Sequence, residues 1–325
     1  MPTFDRLLAT DLAGVALVNP VLLAAGTCGY LDELADAIDL ARVGAVVTKS
    51  ITAQPRSGNA FPRVIDARAG MLNAVGLANV GVEHFAEHIA PRAADVPTVV
   101  IGSVAGFSID DFVTVAAAMD DAEGIRAVEL NVSCPNVHGG AEFGADPEAL
   151  AQLVGAVRPV LADTRLFVKL SPIAVGAPGM VEVARAAIRG SGVPAGPDRR
   201  TGADALCIAN TIPAMAIDVR TRRPRLSNVT GGLSGPAVHN VAVKLVYDVY
   251  TSVTKEAGVP VVGVGGVMRW EDAAEFILAG ASAVQMGTAL FADPRSPLRV
   301  INGLRRWVRS QGVQSISELV GTVEI

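Results

Sequence analysis

Cysteine is scarce in this chain: Cys28, Cys134 and Cys207 are the only three in 325 residues, far apart and without a C-x-x-C pair. That excludes a set of four thiolates for an iron–sulfur cluster or a structural zinc. An odd, sparse count suits a reducing compartment. Positive charge is also short, with 27 Lys and Arg against 32 Asp and Glu and a formal net charge of -5. A broad electropositive surface for nucleic acid or anionic membrane is therefore not expected, which leaves small molecules and proteins as partners. Aromatic residues make up 4% of the chain, so the core has to be built from Ala, Val, Leu and Ile. No apolar run approaches the roughly 18 residues of a membrane-spanning helix. The opening "MPTFDRLLATDLAGVALVNP" lacks the basic start and long apolar centre of a signal peptide. A cytoplasmic location is the expectation.

What the chain does have is a 50% apolar composition and a recurring pattern. Eight short runs rich in β-branched and aliphatic residues read as strands: "VLLAAG" (21–26), "AVVTKS" (45–50), "TVVIGSVA" (98–105), "AVELNVS" (127–133), "LFVKLS" (166–171), "ALCIANT" (205–211), "VPVVGVGG" (259–266) and "AVQMGT" (283–288). Segments of helical periodicity separate most of them, among them "LDELADAIDLARVG", "SIDDFVTVAAAMDDA" and "DPEALAQLVGAVRPVLA". Several start after Asp, Ser or Pro and stop at Gly, as helix ends do. Eight strand–helix units in this length predict one α/β domain over 1–325, a (β/α)8 TIM barrel. A doubly wound open sheet is the alternative. The connections 51–97 and about 212–240 are too long to be plain links, and long loops at a barrel's C-terminal mouth are usually functional.

Polar residues gather at the predicted C-terminal tips of the strands: Lys49, Asn131, Ser133, Lys169, Asn210 and Thr211. A barrel strand is apolar until it leaves the core, so these mark an active-site mouth. Burying an unpaired ammonium is costly, and the bland account of each lysine is that it snorkels to solvent. Strands seven and eight end in "GVGG" and "MGT", where backbone N–H groups can approach an anion, and "GGLSG" (231–235) precedes a helix. Together they favour a bound phosphate ester. His84 and His88 have the i, i+4 spacing of metal ligands but no evident third ligand, and a solvated helix face is the simpler reading. Cys134, in "NVSCPNV" (131–137), is by composition alone either core filler or a chemical tool.

"MLNAVGL" (71–77), "ELNVSCPNV" (129–137), "VKLSP" (168–172), "ANT" (209–211), "GGLSGPAV" (231–238) and "GVGGV...AGASAVQMGT" (263–288), in this order, resemble class 1 dihydroorotate dehydrogenases. The resemblance runs from about Asn19 to Pro294. It implies an FMN-binding barrel that oxidises dihydroorotate to orotate in pyrimidine biosynthesis. Carried over by motif, Cys134 is the base, where class 2 has serine, and Lys49 touches flavin and substrate. Asn73, Asn131, Asn136 and Asn210, with Ala74, Val75, Gly76, Leu77 and Thr211, hold the pyrimidine. Lys169 lies beside the flavin ring, with Ala25, Ser50, Ser103 and Ala209 nearby, and Gly235, Gly265, Gly266, Gly287 and Thr288 cradle the phosphate. The stretches "CPNVHGGAEFG" and "KSITAQPRSGN" are more similar to the NAD-linked class 1B than to the fumarate-linked class 1A. That form works with a partner carrying FAD and a [2Fe–2S] cluster, and a homodimer or heterotetramer is implied. The lack of a membrane-associating N-terminal helix points away from class 2.

A free thiol titrates near about 8.5, so the base role requires surroundings that favour the anion. Three positions depart from the family pattern: Ala25 replaces a serine, and Ser103 and Ile173 replace asparagines. "GSGVPAGPDRRTG" (190–202) is an insertion, expected as a surface loop at the barrel's N-terminal end. The departures leave open an FMN oxidoreductase of a related pyrimidine or enoyl-type substrate, or a non-catalytic flavin-binding subunit.

Overall fold

The computed structural model describes residues 6–133, 143–173, 176–192 and 200–325. Eight parallel strands close on themselves: β1 (Val21–Leu23), β2 (Ala45–Val47), β3 (Val99–Val104), β4 (Ile125–Asn131), β5 (Arg165–Lys169), β6 (Ala205–Ile208), β7 (Val261–Val264) and β8 (Ala283–Met286). Neighbours in sequence are neighbours in space, and the ring shuts where β8 pairs with β1, Val284 opposite Val21. This is the (β/α)8 barrel, and closure removes the open-sheet alternative.

The strands are buried on both faces, which is why they read as continuous apolar runs. Inward-facing Leu22, Ala45, Val47, Ile101, Ala127 and Phe167 belong to one compact cluster inside the barrel. Leu12, Val15 and Leu17, from a hairpin of Thr10–Leu12 and Val15–Leu17, join it and plug the N-terminal end. Outward-facing Val21, Val46, Val128 and Val168 pack instead against the surrounding helices.

Those helices are α1 (Ile109–Asp120), α2 (Pro147–Val157), α3 (Met180–Arg189), α4 (His239–Val249), α5 (Trp270–Ala279) and α6 (Ser296–Ser310). Their starts are chemically marked. The Ser108 hydroxyl accepts from the Asp111 N–H at α1, and the Asp146 carboxylate accepts from Glu148 and Ala149 at α2, which has Pro147 in its first turn.

The segment after β1 departs from expectation. "LDELADAIDLARVG" forms turns and one 3-10 turn, Leu40–Arg42, and not an α-helix. Its acidic side chains bind backbone locally: Glu33 accepts from the Tyr30 and Leu31 N–H groups, and Asp39 accepts from Ala41. Such bonds compete with the helical ladder. Buried Leu31, Ile38 and Leu40 fasten the segment to the barrel without helical phase.

The two long connections meet. Strands Val64–Ala67 and Gly70–Asn73 from the first pair with Ile212–Met215 and Thr230–Ser234 from the second in one four-stranded antiparallel sheet. Of the insertion, 190–192 are described where they follow α3, and 200–202 where they lead into the N-terminal start of β6.

Candidate active site

Side chains alternate along a strand, so the parity that places Ala127 inside the barrel places Glu129 and Asn131 there too. The same rule carries Phe167 to Lys169 on β5 and Ala283 to Gln285 on β8. The upper layer of the interior is therefore polar, and a cavity of about 280 Å³ opens above it at the C-terminal mouth.

Three groups of the residues singled out in the sequence line this cavity. Ala25, Lys49 and Ser50 come from the tips of β1 and β2, and Asn73, Val75 and Leu77 from the first long connection. Asn131, Lys169, Ala209, Asn210 and Thr211 rise from β4, β5 and β6. Gly235, Gly265, Gly266, Gly287 and Thr288 form the far wall. Ala74 and Gly76 are not part of the lining: the Ala74 N–H donates to the Arg63 carbonyl and its own carbonyl accepts from Asn59, while the Gly76 carbonyl accepts from Arg56. Ser103 is fully buried one layer back, where its hydroxyl shares a 2.8 Å hydrogen bond with Ser50. Ile173 packs against the outer apolar cluster. Cys134 and Asn136 lie outside the described residues.

The asparagines form a wired cluster. Asn210 Nδ2 donates to Asn131 Oδ1 and to Ser133 Oγ, both at 3.0 Å, and Ser171 Oγ donates to Ser133 Oγ at 2.9 Å. Asn73 Nδ2 donates to the Gly232 carbonyl at 3.3 Å, which ties it to the mouth sheet. Carboxamides offer both donors and acceptors, so this set can meet the imide and carboxylate edges of a small heterocycle.

Below them Lys169 Nζ donates to Gln285 Oε1 at 3.2 Å and lies 3.7 Å from Glu129 Oε1. Gln285 Nε2 donates to Glu129 Oε2, so one amide bridges ammonium and carboxylate. The fully buried Glu129 explains how a lysine that is 6% exposed is accommodated. Neither Glu129 nor Gln285 was flagged by the sequence. The signal was present as a lone polar residue at inward parity inside an apolar run. Lys49 sits over the Tyr30 ring at 5.9 Å. Burial, and next the nearby Arg63 guanidinium, lower its pKa from lysine's ordinary value, against the opposing pull of Glu33.

The far wall suits a phosphate ester. Gly235 and Gly266 have φ of +91° and +69°, and a Cβ at 266 would stand 2.8 Å from the Gly235 carbonyl oxygen. Only glycine permits that approach, and glycines at this wall present backbone without side-chain cover, the kind of surface on which N–H groups can cradle an anion. Thr288 Oγ1 donates to Ser234 Oγ at 2.7 Å beside them. With the Lys169 ammonium at the other end, the donor set fits a flavin nucleotide: cationic donors for the ring, backbone N–H groups for the phosphate. Among the described residues no group of three or more His, Cys, Asp or Glu could hold a metal ion. His84 and His88 stack on each other on an exposed face, ring centroids 4.4 Å apart. No helix among the described residues is long and apolar enough to cross a membrane.

Residues 7–308 match the family model described as dihydroorotate dehydrogenase. The chain is 43% identical over 319 residues to a Bacteroides fragilis protein named dihydroorotate dehydrogenase B (NAD(+)), catalytic subunit, covering 98% of this chain and 99% of that one. A Trichlorobacter lovleyi protein of the same name is 42% identical, with 98% of each chain covered. A Solibacter usitatus protein named putative dihydroorotate dehydrogenase A (fumarate) is 43% identical, also over 98% of each. Matched along nearly its whole length, and with the barrel and polar mouth described above, the chain belongs to the dihydroorotate dehydrogenase family of flavin-dependent oxidoreductases.

Proposed function

We propose that this chain oxidises dihydroorotate to orotate in pyrimidine biosynthesis, with FMN as its flavin and Cys134 as the base. The observation that carries this reading is the convergence on one cavity of Asn73, Asn131 and Asn210, the two lysines, and the glycine wall. The asparagines hold the pyrimidine edges and orient the ring. Gly235, Gly265, Gly266, Gly287 and Thr288 hold the FMN phosphate, and Lys169 supports the ring. When bound, the flavin supplies the acceptor for the hydride that leaves C6 of the substrate. Cys134 takes the proton from C5. Lys49 and Lys169 offset the negative charge that develops as electrons arrive. Lys49 remains available as a donor without the desolvation cost of a fully enclosed ammonium, since it is only partly buried.

For the electron acceptor, the stretches "KSITAQPRSGN" and "CPNVHGGAEFG" support the NAD-linked form, in which a second protein carrying FAD and a [2Fe–2S] cluster passes electrons onward. Relatives bearing the NAD-linked and the fumarate-linked names are both 43% identical to this chain, and an assay with each acceptor distinguishes the two forms.

Anaerobic addition of dihydroorotate to the flavin-loaded protein is expected to bleach the visible flavin band. Turnover by Cys134→Ala and Cys134→Ser at neutral pH is expected to fall by at least about a hundred-fold, the low end of what a general base contributes. A band that stays unchanged would remove dihydroorotate as the substrate, and near-parental rates in both variants would remove the base. Reoxidation by fumarate alone, with no partner, would assign the chain to the other acceptor class.

A further inference from the structure

The glycines at the tip of β7 are held from behind. Gly265 and Gly266 have φ of +145° and +69° and line the cavity. A Cβ at 265 would lie 2.7 Å from the Ala242 Cβ, and one at 266 would lie 2.8 Å from the His239 Cβ. The loop is thus seated directly on the first turn of α4.

His239, 7% exposed, is not part of the cavity wall but stands behind it, with Nδ1 2.9 Å from the Gly265 carbonyl oxygen. A carbonyl can only accept, so Nδ1 carries the hydrogen and donates. The C=O and N–H of a trans peptide point in opposite directions. Drawing the Gly265 carbonyl back onto the imidazole turns the Gly266 N–H the other way, toward the cavity. The ring itself is fixed by α5: it meets Phe276 edge-on at 5.2 Å and 89° between planes, and its Nε2 lies 3.4 Å from Glu275 Oε2, close but not aligned as a hydrogen bond.

We propose that His239 is a positioning residue for phosphate recognition: by holding the Gly265 carbonyl it aims the Gly266 N–H at the phosphate monoester of the flavin nucleotide. The proposal rests on the FMN reading above. It assigns a role to a side chain that touches neither substrate nor cofactor.

The test compares FMN with riboflavin, which lacks the phosphate, by fluorescence titration of the full chain stripped of flavin. The parent is expected to prefer FMN. His239→Leu keeps the bulk and removes the donor. It is expected to weaken FMN binding by about ten-fold or more, the size of a lost hydrogen bond to a charged group, and to leave riboflavin binding within about two-fold. His239→Asn places an amide nitrogen where Nδ1 was and should recover most of the FMN affinity, whereas His239→Gln carries its amide one bond further out and should not. If His239→Leu is unstable, the Asn and Gln variants make the same comparison. An unchanged FMN-to-riboflavin ratio in the variants, or an equal loss for both flavins, overturns the positioning role alone. A parent that binds riboflavin as tightly as FMN overturns the FMN reading itself and the inference with it.

Discussion

Cys28 and Cys207 are completely enclosed, and their chemistry is that of burial. Desolvation, and next the Glu33 charge, push the Cys28 thiol up to about 12, well above a free thiol's ordinary range; desolvation and then Glu129 raise Cys207 in the same direction. Between about 9 and about 12 the folded chain keeps a proton at Cys28 that the unfolded chain has released. The stability it contributes is fully present below pH 9 and is lost as pH rises toward 12. Urea unfolding at pH values of about 8 and about 10.5 is expected to show a fall in midpoint that is smaller in Cys28→Ala than in the parent. Equal falls would clear Cys28 as a source. The residues that sequence brought out and those it passed over differ for a physical reason. Lys49 and Lys169 are conspicuous because an ammionium at a strand tip needs an explanation. Glu129 and Gln285 are not, because each is a single polar interruption in an apolar run, and their contact spans 156 residues. Only closure of the ring brings them face to face.

The mouth sheet has an equally narrow tolerance. A Cβ at Gly232 would lie 1.9 Å from Thr211 Oγ1 and 2.5 Å from Thr211 Cβ, so the strands 212–215 and 230–234 approach closely where Thr211 enters the cavity. Gly232→Ala is expected to cost about 1–3 kcal/mol through overpacking. It should also raise the KM for dihydroorotate, because the Gly232 carbonyl that accepts from Asn73 would move. Calorimetry and steady-state kinetics check the two effects, and an unshifted KM would mean that the sheet does not position Asn73. Both long connections were legible as unusual, but their pairing was not. "TGGLS" and "IPAM" carry the glycines and proline of turns, and become strands only because each finds a partner ladder. The missed turn segment at 31–44 is the converse: helical periodicity is present, but the carboxylates of Glu33 and Asp39 take the backbone donors first.

The barrel as a whole was readable because all eight strands are buried on both faces and so stand out as apolar runs. Its N-terminal end is held together by charge as well as by packing. Arg158, at the end of α2 and 0% exposed, donates from Nη1 to Asp204 Oδ2 at 2.7 Å, and the same oxygen accepts from the Leu166 N–H at the start of β5. Asp204→Ala would leave a guanidinium enclosed without its counter-ion, at an expected cost of about 3–5 kcal/mol. Arg158→Met in the Asp204→Ala background should recover part of that loss in chemical denaturation; no recovery would mean that the stranded charge is not the cause.

Closure also fixes when the site can come into being during synthesis. β1, near the start of the chain, finds its second neighbour only in β8, and the far wall of the cavity includes Gly287 and Thr288. A nascent chain that has emerged through β5 contains Lys49, Asn73, Asn131 and Lys169 but none of the glycine wall. Contacts of such large sequence separation form late. Ligand capture therefore waits for the chain to extend through Thr288, and a ribosome stalled between Thr211 and Gly235 carries the lysines and asparagines of the pocket but none of the glycines that hold a phosphate.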